Sequence, residues 1–254
     1  MTEAREPADA YSGYFPIALR MDGRRAVIIG GDEEAEMKAR KLLVCRSEVV
    51  VIGDGVTAGI EKLAAEGRLR RIPREYRRGD CAGAAMVIVC DTRHGEAARD
   101  EAHACGVLVN VLDRIELCDF SAVAYVDRAG LQIAVHSSGK SAALARRIRE
   151  RLAEEYPESL GELNSVLGAV RAEVKRLVPT AACRRALWLS VVDADLIEHA
   201  RTGRVDVRAL TEDILRRAAA LGACADMPTT GGSSAEGSAA TARAGRASTH
   251  GVQV

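Results

Sequence analysis

The run Val27-Ile28-Ile29-Gly30-Gly31-Asp32-Glu33-Glu34-Ala35 follows a β-branched stretch and opens an amphipathic one. In that context a G-x-G-x-x-G/A fingerprint holds a dinucleotide. The chain turns tightly, bares backbone N–H groups and lets a pyrophosphate approach the positive end of a helix. Gly30 suits the tight turn and Ala35 suits close packing of helix on strand, but the middle glycine is replaced by Asp32. A carboxylate there narrows the approach and repels phosphate, and Glu33 and Glu34 add to the charge. The plain alternative is that these acids serve the helix dipole, worth about 0.3–1 kcal/mol each. Asp54, 24 residues after Gly30, has the spacing of an acid that accepts hydrogen bonds from the adenosine ribose and so favours NAD over NADP. The alternative for Asp54 is a turn aspartate in Gly53-Asp54-Gly55.

Other reactive residue types are less specific. The seven cysteines (Cys45, Cys81, Cys90, Cys105, Cys118, Cys183, Cys224) contain no Cys-x-x-Cys pair, so they read as reduced thiols. His94, His103 and His136 form no chelating pair on one helix face, and no metal site is expected. Gly139-Lys140-Ser141 imitates the end of a Walker A loop, but the glycine required five residues earlier is Ala134, which excludes a phosphate-binding loop of that type. Arg146, Arg147, Arg149 and Arg151 read as a solvated or dimer-facing surface.

The elements that must position these groups follow an α/β pattern. Five short β-branched runs, Ala26–Ile29, Val49–Ile52, Leu69–Ile72, Ala85–Cys90 and Val107–Leu112, alternate with helix-like segments. That predicts a Rossmann-type parallel sheet covered by helices. Glu33 to Cys45 is amphipathic, and Val56 to Gly67 reads as a helix closed by its glycine. Ser121–Val126 and Leu131–Val135 predict a β-hairpin around Asp127-Arg128-Ala129-Gly130. Ser141 caps a periodic helix, 142–155, that ends before Pro157, and residues 159 to about 221 read as helical.

The expected division is a flexible N-terminus (1–13), a Rossmann NAD-binding domain (14–113), a hairpin-and-helix dimerisation region (114–157), a small all-helical domain (158–222) and a disordered tail (223–254) rich in Gly, Ser, Thr and Ala. Thirty-six basic and 36 acidic side chains give zero formal charge, so no overall field points to nucleic acid or an anionic membrane. No apolar run approaches the roughly 20 residues a membrane-spanning helix needs. The acidic start, without an apolar core, predicts no export and a cytoplasmic protein.

Five short motifs occur in order: Tyr14-Phe15-Pro16-Ile17; Val27 to Gly31; Ala35-Glu36-x-Lys38-Ala39-Arg40-x-Leu42-Leu43; Asn110-Val111-Leu112-Asp113; and Ser137-Ser138-Gly139-x-Ser141. Over about residues 13–220 the chain resembles the precorrin-2 dehydrogenases and the bifunctional dehydrogenase/ferrochelatases, including the N-terminal half of siroheme synthase. The resemblance implies NAD-dependent oxidation of precorrin-2 to sirohydrochlorin in a homodimer, with Fe2+ insertion as a second activity of some members. It implies that Asp113 is the key carboxylate, and that Gly30, Gly31, Glu33, Glu34, Asp54, Gly55 and Thr92 contact NAD. Ser137, Ser138 and Lys140 would meet the tetrapyrrole's carboxylates, and Ser137 matches a serine phosphorylated in some members. A simple helix cap through Ser141 is the other reading of that loop. The rival function, raised by Asp32, is a chelatase or non-catalytic tetrapyrrole-binding protein with a degenerate NAD site. A generic Rossmann regulator is a third.

Overall fold

A computed structural model of the chain describes residues 13–225. The flexible start (1–13) and the tail expected over 223–254 fall outside the described residues except for Gly13 and residues 223–225, and the latter are the end of a helix rather than the start of a tail. Five strands, β1 (Arg25–Ile29), β2 (Glu48–Ile52), β3 (Arg70–Ile72), β4 (Met86–Val89) and β5 (Leu108–Val111), form one parallel sheet in the order β3-β2-β1-β4-β5. In β1, β2 and β4 side chains alternate between two buried faces, so these strands are almost continuously apolar rather than amphipathic, whereas the edge strand β3, Arg70-Arg71-Ile72, stays partly exposed. Ala26 and Ile28 pack beneath helices α1 (Glu33–Val44) and α2 (Ala58–Ala65); Val27 and Ile29 pack on the opposite side with Ala98 and Ala102 of α3 (Gly95–Ala104).

Local chemistry explains the boundaries. Gly67, at φ +69°, closes α2, with its N–H and that of Arg68 donating to Ala64 and Leu63 carbonyls, a Schellman-type ending. Ser141 caps α4 (Ala142–Glu155) by accepting from the Leu144 N–H at 3.1 Å. The hairpin differs from expectation. Its strands are β6 (Ala124–Arg128) and β7 (Leu131–Val135), and the turn is only Ala129-Gly130, at φ +49° and +88°. Two left-handed residues are what a tight two-residue turn needs to match strand twist.

The chain separates into two compact units, residues 1–164 and 165–254. The break falls inside α5 (Ser159–Leu177), whose first turns bury Leu160 and Leu163 in the first unit. In the second unit α5 is followed by α6 (Ala181–Val191), α7 (Ala194–Arg201) and α8 (Val207–Ala225), around Val170, Val174, Leu187, Val191, Ile214 and Ala218. The long helical stretch of the sequence is thus four helices, interrupted after Val178 by Pro179, at Asp193, which caps α7, and at Gly203, at φ +67°. Among the described residues no helix is long and apolar enough to cross a membrane, and Cys45, Cys81, Cys90, Cys105, Cys118 and Cys183 are free thiols.

Candidate active site

The carboxyl ends of β1, β2 and β4 meet at an open cleft of about 350 Å³, the edge at which open α/β sheets take ligands. Gly30 leaves β1 at φ +125°, and a Cβ there would come within 2.9 Å of the Asp91 backbone nitrogen beyond β4. At Gly31 a Cβ would collide with the Gly55 carbonyl oxygen and come within 2.6 Å of Val56 Cγ1. Both positions need glycine because the first turn is pressed between the two neighbouring ones. The Thr57 N–H donates to the Gly31 carbonyl at 2.9 Å, and the Thr57 hydroxyl donates to Glu36 at 2.5 Å. That bond, and then Arg40, hold the Glu36 carboxyl below its ordinary range.

Of the residues expected to contact NAD, Gly30, Gly31, Asp54, Gly55 and Thr92 line this cleft. Glu33 and Glu34 do not: the first is exposed on the outer face of α1, and the second pairs with Lys38 at 3.7 Å. Asp54 is exposed; one carboxylate oxygen accepts from the Gly55 N–H at 2.9 Å and the other accepts no hydrogen bond from the described residues, so it can accept from a ribose hydroxyl. Asp32 is turned onto its own helix. Its Oδ1 accepts from the Ala35 N–H at 2.9 Å, using a donor that the fingerprint would otherwise offer to phosphate. Asp32→Gly should therefore tighten NADH binding in a fluorescence titration at a stability cost of only a few tenths of a kcal/mol. An unchanged dissociation constant would show that the capped carboxylate does not oppose the phosphates.

Three lining residues carry no glycine-turn or strand-end signal and were missed in the sequence: Glu75, Tyr76 and Arg93. Tyr76 forms a wall because its hydroxyl donates to Glu101 at 2.6 Å. Glu101, 6% exposed, also accepts from the Gly79 and Cys81 N–H groups at 2.9 and 2.7 Å. Burial, then the bond to Glu101, push the Tyr76 phenol well above its usual range, so it stays a donor. The burial cost on Glu101 is outweighed by its hydrogen bonds from Tyr76 and the two amides, and its carboxyl stays below the usual value.

Asp113 stands apart from the cleft lining. It lies two residues past β5 and is exposed, in the left-handed region at φ +56°. The turn that carries it is clasped by Cys118. The Val111 N–H donates to Sγ at 3.2 Å, and Sγ lies 3.2 Å from the carbonyls of both Val111 and Arg114. Burial raises the Cys118 thiol above its ordinary pKa, which keeps it protonated and able to donate. Asn110 completes the clasp, donating to the Phe120 carbonyl at 2.9 Å and to Sγ at 3.4 Å. The asparagine of the Asn-Val-x-Asp motif thus has a structural task.

The serine loop lies beside this turn: a Cβ on Gly139 would meet Ile115 Cδ1 at 2.8 Å. Ser137 Oγ accepts from the Ser141 N–H at 3.2 Å, Ser138 sits at φ +53°, and Lys140 is exposed. His136 packs edge-on to Tyr14, centroids 4.6 Å apart, and lies 3.2 Å from the Ser121 hydroxyl. Among the described residues no group of three His, Cys, Asp or Glu could hold a metal ion. Two patches result: a glycine-floored cleft at the carboxyl edge of the sheet, and a carboxylate turn adjoining a hydroxyl- and ammonium-bearing loop.

Residues 17–124 match a family described as putative NAD(P)-binding. Residues 128–155 match the sirohaem biosynthesis protein central region, and 159–215 the sirohaem synthase dimerisation region. The last description falls on the helices from α5 onward, whereas the sequence reading put dimerisation at 114–157. Siroheme synthase of Azotobacter vinelandii (strain DJ / ATCC BAA-1303) is 34% identical over 193 residues, 75% of this chain and 42% of that protein. Siroheme synthase of Chromobacterium violaceum (strain ATCC 12472) is 32% identical over 212 residues, 83% of this chain and 45% of the relative. The chain thus spans less than half the length of these curated relatives. A solved structure named SirC, precorrin-2 dehydrogenase, superposes with a TM-score of 0.64 at 22% identity, covering 80% of this chain and all of that one, which shows a shared fold. Three family models, described as putative NAD(P)-binding, sirohaem biosynthesis protein central and sirohaem synthase dimerisation region, thus follow one another in order along this chain from residue 17 to 215.

Proposed function

We propose that the protein is an NAD-dependent precorrin-2 dehydrogenase, forming sirohydrochlorin, NADH and a proton. The carrying observation is that one unit holds both the glycine-floored cleft with Asp54 at its rim and, outside that lining, the Asp113 turn packed beside the serine loop. The cleft's chemistry fits NAD. Gly30 and Gly31 let the turns that floor the cleft pack closely, and the free oxygen of Asp54 suits a ribose hydroxyl and repels a 2′-phosphate. When bound, NAD supplies the hydride acceptor.

The chain's own residues do the rest. Tyr76, fixed by Glu101, walls the cleft. Asp113, exposed and held by the Cys118 clasp, takes the proton that leaves with the oxidised bond. Ser137, Ser138 and Lys140 meet substrate carboxylates, with Ser137 acting through its loop-closing bond to the Ser141 N–H. Glu33 and Glu34 contribute through backbone N–H groups at the start of α1, their side chains pointing elsewhere. We further propose a cytoplasmic homodimer built as a Rossmann part (14–113), a central region (114–157) and helices (158–222), with pairing surfaces extending into the helices that bear the dimerisation description. Ferrous iron enters only as a second substrate, in a chelation that follows the oxidation.

One observation favours the rival reading, a chelatase or tetrapyrrole-binding protein without a working cofactor site: Asp32 already occupies the end of α1. The deciding experiment supplies purified protein with precorrin-2 and NAD and follows sirohydrochlorin and NADH together. The expected result is their formation in equal amounts. No turnover and no NAD binding at about 1 mM cofactor would overturn the dehydrogenase reading and leave its rival.

A further inference from the structure

The cleft is acidic. Asp32, Asp54, Glu75 and Asp91 all line it, and among the lining residues Arg93 is the one arginine or lysine. A dinucleotide brings a diphosphate with two negative charges into this field. The usual counter-charge, the positive end of α1, is answered by the chain's own Asp32 carboxylate. Compensation must come from elsewhere in the cleft.

Arg93 stands in the three-residue 3-10 turn Thr92–His94 after β4, its side chain 67% exposed. Asp91 grips one edge of the guanidinium, with Nε at 3.0 Å and Nη2 at 2.7 Å, while Nη1 lies 3.5 Å from Glu75. A guanidinium has five N–H donors, so these contacts fix its plane and leave donors on both terminal nitrogens for an oxyanion. The turn itself is tied to the glycine loop, because Gly30 abuts the Asp91 nitrogen. The cation is therefore held at the mouth of the cleft by the element that touches the fingerprint.

We infer that Arg93 is the positioning residue for the dinucleotide's diphosphate, taking the part that the self-capped end of α1 has given up. The inference rests on the dinucleotide reading above and adds the group that makes it electrostatically workable. It also separates the two halves of the ligand. The adenosine half depends on Asp54, and the phosphate half on Arg93.

The test uses the full chain and three probes, NADH, ADP-ribose and adenosine, titrated against wild type, Arg93→Gln and Arg93→Lys. Arg93→Gln should weaken NADH and ADP-ribose about tenfold or more while leaving adenosine unchanged. Arg93→Lys should recover part of the loss, since a point charge replaces the fork. Added salt should weaken NADH binding to wild type more steeply than to Arg93→Gln. Equal NADH affinity of Arg93→Gln and wild type would overturn the inference. Equal losses for NADH and adenosine would do so too, making Arg93 a loop-holding residue. If wild type itself binds neither NADH nor ADP-ribose, the dinucleotide reading falls first and this inference with it.

Discussion

Asp113→Asn should lower the rate of sirohydrochlorin formation about 100-fold or more while NADH binding stays at the wild-type level. Asparagine is the informative substitution because the residue sits at φ +56°, a region that Asp and Asn tolerate and that costs other side chains roughly 1–2 kcal/mol. Asp113→Ala should lose the same activity with an added stability deficit from the backbone. The carboxylate lies outside the cofactor cleft, so a defect in cofactor affinity would be the wrong signature. Rates like those of wild type in Asp113→Asn would remove this residue from the reaction.

The second large effect concerns the floor of the cleft. Gly31→Ala places a methyl group against the Gly55 carbonyl and within 2.8 Å of Val56 Cα. Backbone atoms cannot rotate away as a side-chain end can, so two crossover turns must separate. The expected cost is about 1–3 kcal/mol in denaturant unfolding, accompanied by loss of NADH binding. Gly55→Ala is the matched control for stability, because a Cβ there meets nothing within 4 Å. Equal stabilities for the two variants would show that the turns are not packed as described.

Much of this arrangement was legible in the residues. Strands β1, β2 and β4 announce themselves through β-branched runs buried on both faces, and Gly30, Ser141 and Gly67 act locally, where chain order equals spatial order. The serine loop and the Asp113 turn were each readable, but their contact through Gly139 and Ile115 joins residues far apart in sequence. Helix α3 was harder to see: its buried face is Ala98 and Ala102, small residues with little hydrophobic contrast. The hairpin turn was placed two residues early because Asp127 looks like a turn residue. It is one in effect, accepting from the Gly130 N–H at 3.0 Å, yet it remains in the strand. Tyr76 and Arg93 were invisible for a different reason. Their roles come from Glu101 and Asp91, a buried carboxylate on a later helix and a strand-end acid, and neither partner has a motif of its own. The substitution at position 32 was read as an obstacle to phosphate, and only the fold reveals the hydrogen bond that occupies it.

The double tie from Thr57, to the Gly31 carbonyl and to Glu36, bears on how affinity is set. Two loops that would otherwise have to be frozen on coenzyme arrival are already immobilised against each other, so little ordering entropy is left to lose on association. What then distinguishes a strong from a weak coenzyme is the balance of charge it meets on entry, and tuning that balance requires no rebuilding of the scaffold.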